Sequence, residues 1–394
     1  MQKAASSHLM RHINRSGVLD LIREHQQISR SEIAKELHMS IPTVMRIVDD
    51  LLEQNLVRDL DDTQSSGGRP RQMLEYNSGS YAVLCLDLGG DRMKIVLTDL
   101  SGTVLIQSTH PIIAGEGEKN RNALINEIDY VLRHPLPDGQ RLRGIGIGCP
   151  GMIANETGLV HYAPGLGWYD LDLAGLLSTR YQLPVYVEND VNLAALGEAA
   201  SGLGRGLQNM VYISLGSAVG AGLILNGSLY RGFHKAAGEI GYFFPSVTDL
   251  SHSVQNDAPL NALISEKAIL DIARRAYQVS EPDRETGDIT IRQIFEFAAN
   301  HTPWAEQLTR QIADYLTLTV VNISVILDPE AIIFGGDQTD LAEIWIEEIL
   351  KRIPAITPYT PRLMKSSLGD RAGMMGAIQL VLNSTCDYVT VQHF

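Results

Sequence analysis

Cysteine is scarce in this chain: three residues in 394, at Cys85, Cys149 and Cys386. They are scattered, and two lie in apolar strand-like runs. That pattern suits buried thiols in a reducing cytoplasm and offers no cysteine cluster for zinc. Long apolar runs are also lacking. None approaches the ~20 residues that cross a bilayer, and the opening Met1-Gln-Lys-Ala-Ala-Ser-Ser-His8 has no apolar core of a secretion signal. Positive charge is the third shortage. A formal net charge of −14 argues against a surface that binds nucleic acid all over. The deficit is uneven, however. Residues 1–77 hold ten Lys and Arg against eleven Asp and Glu, a net −1, which leaves −13 for the remainder. Only the N-terminal part can approach phosphates without a large repulsive field.

The length suits two or three domains, and a hydrophobic content of 44% is enough to fill their cores. The spacing predicts a helix over 9–25, with Ile13, Leu19, Leu21 and Ile22 as its apolar side. Ser29-Arg-Ser-Glu32 is a capping-box pattern opening a second helix with Ile33, Ala34 and Leu37. His38-Met39-Ser40 breaks it. Ser40 can cap a third helix, where Pro42 is tolerated in the first turn and Val44, Ile47, Val48, Leu51 and Leu52 face inward. Two short helices joined by a tight turn form a helix-turn-helix. On the third helix Ser40, Thr43 and Arg46 are candidates for contacts with bases and phosphates in a major groove, against the plainer reading of a solvated face. A strand at Leu56-Val57-Arg58, a polar Gly/Ser-rich stretch and a strand at Met73-Leu-Glu-Tyr76 form a wing. It carries Gly67-Gly-Arg-Pro-Arg71, and a proline-extended Arg69 and Arg71 can enter a narrow minor groove. Residues 1–77 are therefore read as a winged helix-turn-helix DNA-binding domain, and 78–394 as a separate two-lobed body.

In the body, Ala82 to Gly90, Lys94 to Gly102 and Val104 to Thr109 read as strands. A helix around 122–132 and a strand at Gly144-Ile-Gly-Ile-Gly-Cys-Pro-Gly151 follow. The same grammar restarts at Met210, which implies two related α/β lobes with a cleft between them. Val185-Tyr-Val-Glu-Asn-Asp190 is a β-branched run that places Asn189 and Asp190 at a strand's C-terminal end, where open α/β sheets bind ligands. Either residue could instead cap the structure after the strand. Tyr212-Ile-Ser-Leu-Gly-Ser-Ala-Val-Gly-Ala-Gly222 reads as a strand entering a Gly-rich turn whose amides can cradle an anion. Trp168 could line a sugar cleft or fill the core. His161 and His234 read as structural histidines, and 281–288 as a solvated acidic loop. Residues 300–327 have the spacing of a long amphipathic helix, through Leu308, Ile312, Leu316, Val320 and Ile323.

Asp87-Leu-Gly-Gly90, Gly148-Cys-Pro-Gly151, Glu188-Asn-Asp190, Leu215-Gly216 with Gly220 and Gly222, Ala237-Gly-Glu-Ile-Gly241 and Gly335-Gly336 together resemble the ROK family of repressors and sugar kinases. They do so in order across most of 80–380. The winged helix with its Gly-Gly-Arg-Pro wing is similar to that family's repressor branch. The resemblance implies an α/β chain: an N-terminal winged helix-turn-helix followed by a sugar-kinase/actin-like ATPase fold. It implies a sugar or sugar-phosphate effector held by Asn189, Asp190 and Glu239, operator DNA as partner, and a homodimer or tetramer in the cytoplasm. Departures from the family pattern bear on catalysis. Asp91-Arg92 stands where the kinases have Thr-Lys, and Ala218 and Ala221 put methyls in the second Gly loop. Tyr242 follows Gly238-Glu-Ile-Gly241 where the family has a zinc-binding His, and no cysteine follows through Asn261. Tyr242 could stack on a ligand or fill the space of the metal. The expectation is a regulator without kinase activity, catalytic residues, metal or cofactor. The rival is an ATP-dependent sugar kinase with an accessory DNA-binding domain.

Overall fold

The computed structural model describes residues 14–60, 72–246, 258–280 and 289–385. The chain forms two compact units: Met1–Glu188 together with Ala377–Phe394, and Asn189–Gly376.

The first unit begins with helix α1, described over 14–24, then β1 (Ile28–Ser29), α2 (Arg30–Glu36), α3 (Ile41–Glu53), β2 (Val57–Leu60) and β3 (Met73–Tyr76). The capping box forms as expected. Ser29 Oγ accepts from Glu32 N at 3.3 Å, and Glu32 Oε2 accepts from Ser29 N at 2.9 Å. His38, at φ 51°, turns the chain between α2 and α3. Val44, Ile47, Val48 and Leu51 of α3 are buried, as are Leu19, Leu21 and Ile22 of α1 and Ile33 of α2. Arg15 of α1 is buried too, held by Asp50 at 2.7 Å and by Gln54 Oε1 at 2.7 Å. The wing strands pair antiparallel from Val57↔Tyr76 to Leu60↔Met73, and β1 adds the third strand. The arginines expected at the wing tip, Arg69 and Arg71, lie outside the described residues.

The unit continues with β4 (Tyr81–Asp87), β5 (Arg92–Asp99), β6 (Val104–Pro111), α4 (Gly117–Leu132), β7 (Arg141–Cys149), β8 (Met152–Ala154), β9 (Leu159–Ala163), β10 (Trp168–Asp172), α5 (Leu173–Tyr181) and β11 (Val185–Asn189). The five-stranded sheet runs β11-β7-β4-β5-β6, and β8, β9 and β10 form a small antiparallel sheet. Trp168 belongs to the core. It is 3% exposed, and its Nε1 donates to Gly117 O at 2.9 Å.

The second unit contains α6 (Asp190–Ser201), β12 (Met210–Leu215), β13 (Val219–Leu225), β14 (Ser228–Leu229), α7 (Asn261–Ile264), α8 (Glu266–Ser280), α9 (Ile291–Ala299), α10 (Pro303–Leu327), β15 (Ala331–Gly335), α11 (Ala342–Arg352) and β16 (Arg362–Lys365). Its sheet, β14-β13-β12-β15-β16, repeats the plan of the first: a three-stranded antiparallel meander extended by two further strands. Here β15 and β16 are parallel to β12. The duplicated sequence grammar thus has a duplicated topology. Leu308, Ile312, Leu316, Val320 and Ile323 of α10 are buried, as their spacing requires.

Helix α12 (Ala372–Thr385) takes part in both units. In the second, a Cβ on Gly376 would lie 1.8 Å from Leu193 O, and one on Gly197 would lie 2.1 Å from Ala372 O. α6 and the first turn of α12 therefore meet backbone to backbone. In the first, a Cβ on Gly146 of β7 would come within 2.7 Å of Ala377 O, and Gln379 Oε1 accepts from Arg23 Nη1 of α1 at 3.2 Å.

Candidate functional site

The sequence-expected nucleic-acid residues fall at the start of α3. Ser40 is its N-cap, with Oγ accepting from Thr43 N at 3.4 Å, and the Ser40 and Thr43 hydroxyls lie 2.7 Å apart. Arg46 is exposed one turn further on. No acidic residue stands in the first turn of α3. The helix N-terminus therefore presents its positive dipole end without a competing carboxylate. Two cations beside the wing strands are already committed: Arg58 Nε of β2 donates to Glu75 at 2.7 Å, and Arg30 of α2 forks onto Asp59 at 3.0 and 3.4 Å.

The sugar-site candidates lie within the second unit. Asn189 ends β11 and caps α6, its Oδ1 accepting from Val191 N at 3.0 Å and Asn192 N at 3.1 Å. The capping alternative is therefore realised for Asn189. With that oxygen committed, Asn189 can meet a hydroxyl only as a donor. Asp190 is the first residue of α6, and its Oδ1 accepts from Val191 N at 3.0 Å. Both side chains are half-buried.

Glu239 is brought to β13 by the glycine before it. Gly238 has φ +93°, and its backbone runs so close to β13 that a Cβ would lie 1.9 Å from Ala221 O. Gly238 O accepts from Ala221 N at 2.7 Å. Ile240 is buried and anchors the following 3-10 turn (Ile240–Tyr242), while Gly241 leaves room for the Asn261 amide, 2.8 Å from where a Cβ would be. Across β13, Gly220 and Gly222 face α6. A Cβ on Gly220 would meet Val191 Cγ2 at 3.2 Å, and one on Gly222 would meet Ala195 Cβ at 2.4 Å. Besides its sheet partners, β13 therefore has both the Asn189-Asp190 helix and the Glu239 turn packed against it. Burial raises the Glu239 carboxyl above its ordinary pKa, although the residue keeps an exposed face. Among the described residues no hydrogen-bond partner offsets that burial.

The Gly-rich stretch differs from its sequence reading. It is a β-hairpin, with β12 and β13 paired from Met210↔Ile224 to Leu215↔Val219. Ala221 points its methyl into the apolar core, 4% exposed, so it does not stand in an anion cradle. Only Gly216, Ser217 and Ala218 form the turn. The sequence reading missed Asp337, whose Oδ2 is 2.6 Å from where a Cβ on Gly216 would be. It also missed Asn261, whose Oδ1 accepts from Val219 N at 2.8 Å. Neither carries a local signal, because each acts on a partner more than 40 residues away. In the first unit, Asp91 is exposed and 3.5 Å from its neighbour Arg92, and Gly89 N donates to Asp87 Oδ1 at 3.1 Å. Tyr242 is 50% exposed, and a Cβ on Gly241 would lie 2.8 Å from the Asn261 amide.

The model of the ROK family matches residues 83–384. The chain belongs to the ROK family. The MarR family model matches residues 14–65, the winged helix ahead of the ROK body. The "Putative xylose repressor" of Caldicellulosiruptor sp. (strain Rt8B.4) is 29% identical over 394 residues, covering 97% of this chain and 99% of that protein. The glucokinase of Halalkalibacterium halodurans is 30% identical over 316 residues, covering 75% of this chain and 93% of the enzyme. Among solved structures, a ROK family transcriptional regulator described as a homolog of E. coli MLC superposes with a TM-score of 0.82 at 27% identity. It covers 96% of this chain and 97% of that one. The two-part architecture, a winged helix followed by a ROK sugar-kinase-like body, is thereby established.

Proposed function

We propose that this ROK protein is a sugar-responsive DNA-binding regulator, a repressor of carbohydrate-utilisation genes that no longer phosphorylates sugars. The observation that carries this reading is the near full-length likeness to a ROK transcriptional regulator, winged helix included. The glucokinase relative leaves a quarter of the chain unmatched. Residues 1–77 form the DNA-binding domain, with Ser40, Thr43, Arg46, Arg69 and Arg71 at the duplex, and 78–394 form the effector-binding and oligomerisation body. Two heads in a homodimer or tetramer engage two half-sites. Asn189 donates to, and Asp190 and Glu239 accept from, the hydroxyls of a sugar or sugar phosphate. The ligand releases DNA to the extent that it binds the released state better than the bound one. Asp91 and Asp337 support the loss of kinase chemistry, because a carboxylate beside a phosphate turn repels a nucleotide, and Ala218 adds a methyl where bare backbone would fit closely.

The test pairs sugar titrations of a protein–operator complex with a coupled ATPase assay across hexoses. Asp190→Asn is expected to blunt sugar-dependent release while leaving DNA affinity without sugar unchanged. Turnover of about 1 s⁻¹ or more, within the ordinary enzyme range, would establish the kinase instead. An unaltered sugar response in Asp190→Asn would remove the pocket assignment.

A further inference from the structure

Helix α3 carries two large apolar side chains that its own domain leaves uncovered. Ile41 is 52% exposed and Met45 is 48% exposed. Four residues apart, they lie one above the other on one face, away from the buried stripe of Val44, Ile47, Val48 and Leu51. Arg46, exposed, adjoins them. The carboxylates of α3 (Asp49, Asp50 and Glu53) all lie in its last five residues, and the first turn has none. Only the first half of the helix can therefore approach a polyanion closely, and the apolar pair is in that half. The neighbouring hydroxyls of Ser40 and Thr43 face each other at 2.7 Å, which reduces their part in reading bases.

Two aliphatic side chains beside a guanidinium fit one feature of duplex DNA. In the major groove the thymine 5-methyl group is the one apolar group that base pairs display, while phosphates and guanine edges take arginine. We propose that Ile41 and Met45 read thymine 5-methyl groups in the major groove. Part of the sequence preference is then apolar, with Arg46 supplying the polar part. The unbranched thioether of Met45 can adjust to the methyl's position, while β-branched Ile41 is stiff. This inference rests on the DNA-reading role proposed above and assigns two of its specificity residues.

The experiment uses the full-length protein to select binders from a randomised duplex pool. The selected duplex is then resynthesised with deoxyuridine at each thymine in turn, which removes only the methyl. Wherever Ile41 or Met45 covers that methyl, wild type is expected to bind about fourfold more weakly, the worth of one buried methyl-sized group. Ile41→Ala and Met45→Ala should bind thymine and uracil alike at those positions, and Met45→Leu should retain the discrimination. Both side chains are exposed, so the variants should melt like wild type. If wild type tolerates uracil everywhere while Arg46→Ala still weakens binding, the DNA-reading role stands and this inference falls. If the alanine variants keep the uracil sensitivity, it arises from DNA shape and the inference again falls. If no sequence is enriched, the DNA-reading role falls, and this inference with it.

Discussion

At Gly222 a methyl would lie 2.4 Å from Ala195 Cβ and 2.9 Å from Val191 O, whereas at Gly220 it would meet only Val191 Cγ2 at 3.2 Å. Gly222→Ala should push α6 off β13 and destabilise the protein by about 1–3 kcal/mol. Gly220→Ala needs only a small side-chain shift. Thermal unfolding of the two variants checks this, and equal melting temperatures would mean that α6 is not seated on β13 as described. Glu239 supplies a pH test. Its pKa is raised by burial from the ordinary 4.5. Its contribution to stability is complete below that ordinary value and is lost as pH rises through the folded one. Glu239→Gln keeps the shape and removes the titration. Its melting temperature should run close to wild type in acid and rise above it toward neutrality, and parallel curves from about pH 4 to about pH 8 would contradict the burial. Asn189-Asp190 was legible in the sequence as a strand end, and the resemblance pointed to Glu239. What sets both segments against β13 was not legible. The packing of Gly220 and Gly222 against α6 joins segments some 30 residues apart, and a glycine reads alike whether it serves a ligand or a neighbouring helix.

Among the elements, α3 has its stability and its proposed reading role overlapping at Ser40. Ser40→Asp should separate them. Aspartate caps as well as serine, so the stability should hold within about 0.5 kcal/mol of wild type. A carboxylate at the end proposed to face phosphates should nonetheless weaken DNA binding. Filter binding together with calorimetry decides between the two roles, and intact DNA affinity would take Ser40 out of the interface. Both caps of the winged helix were readable from four-residue patterns, because capping is a local event. The β12–β13 hairpin was half readable. The alternation Val219, Ala221, Leu223 marks a strand with those residues inward, and the glycines between them drew attention to phosphate binding instead. The 3-10 turn at Ile240–Tyr242 left no period to follow.

For the molecule as a whole, Arg23 ties the DNA-binding head to α12. Its guanidinium donates to buried Gln379 at 3.2 Å and lies over the Tyr76 ring at 5.4 Å, while Gln379 Nε2 donates to Asn383 at 2.7 Å. Gln379→Ala should cost roughly 1–3 kcal/mol, the range for removing a hydrogen bond to a charged group, while Arg23 keeps its ion pair with Asp20 at 3.7 Å. Combined with Arg23→Ala it should cost less than the two singles added. Chemical denaturation of the four proteins measures the coupling, and strict additivity would show that the pair contributes nothing.

That tie also sets an order of assembly. The first unit is discontinuous in the chain: it needs Ala377 and the residues after it as well as everything up to Glu188. A ribosome makes Arg23 early and its Gln379 partner more than 300 residues later. A nascent chain or a fragment stopped at Gly376 would carry every residue of α3 but lack the helix that closes over Gly146 and fixes Arg23. The contact between Arg23 and Gln379 is thus made late in synthesis, and prematurely ended chains lack it.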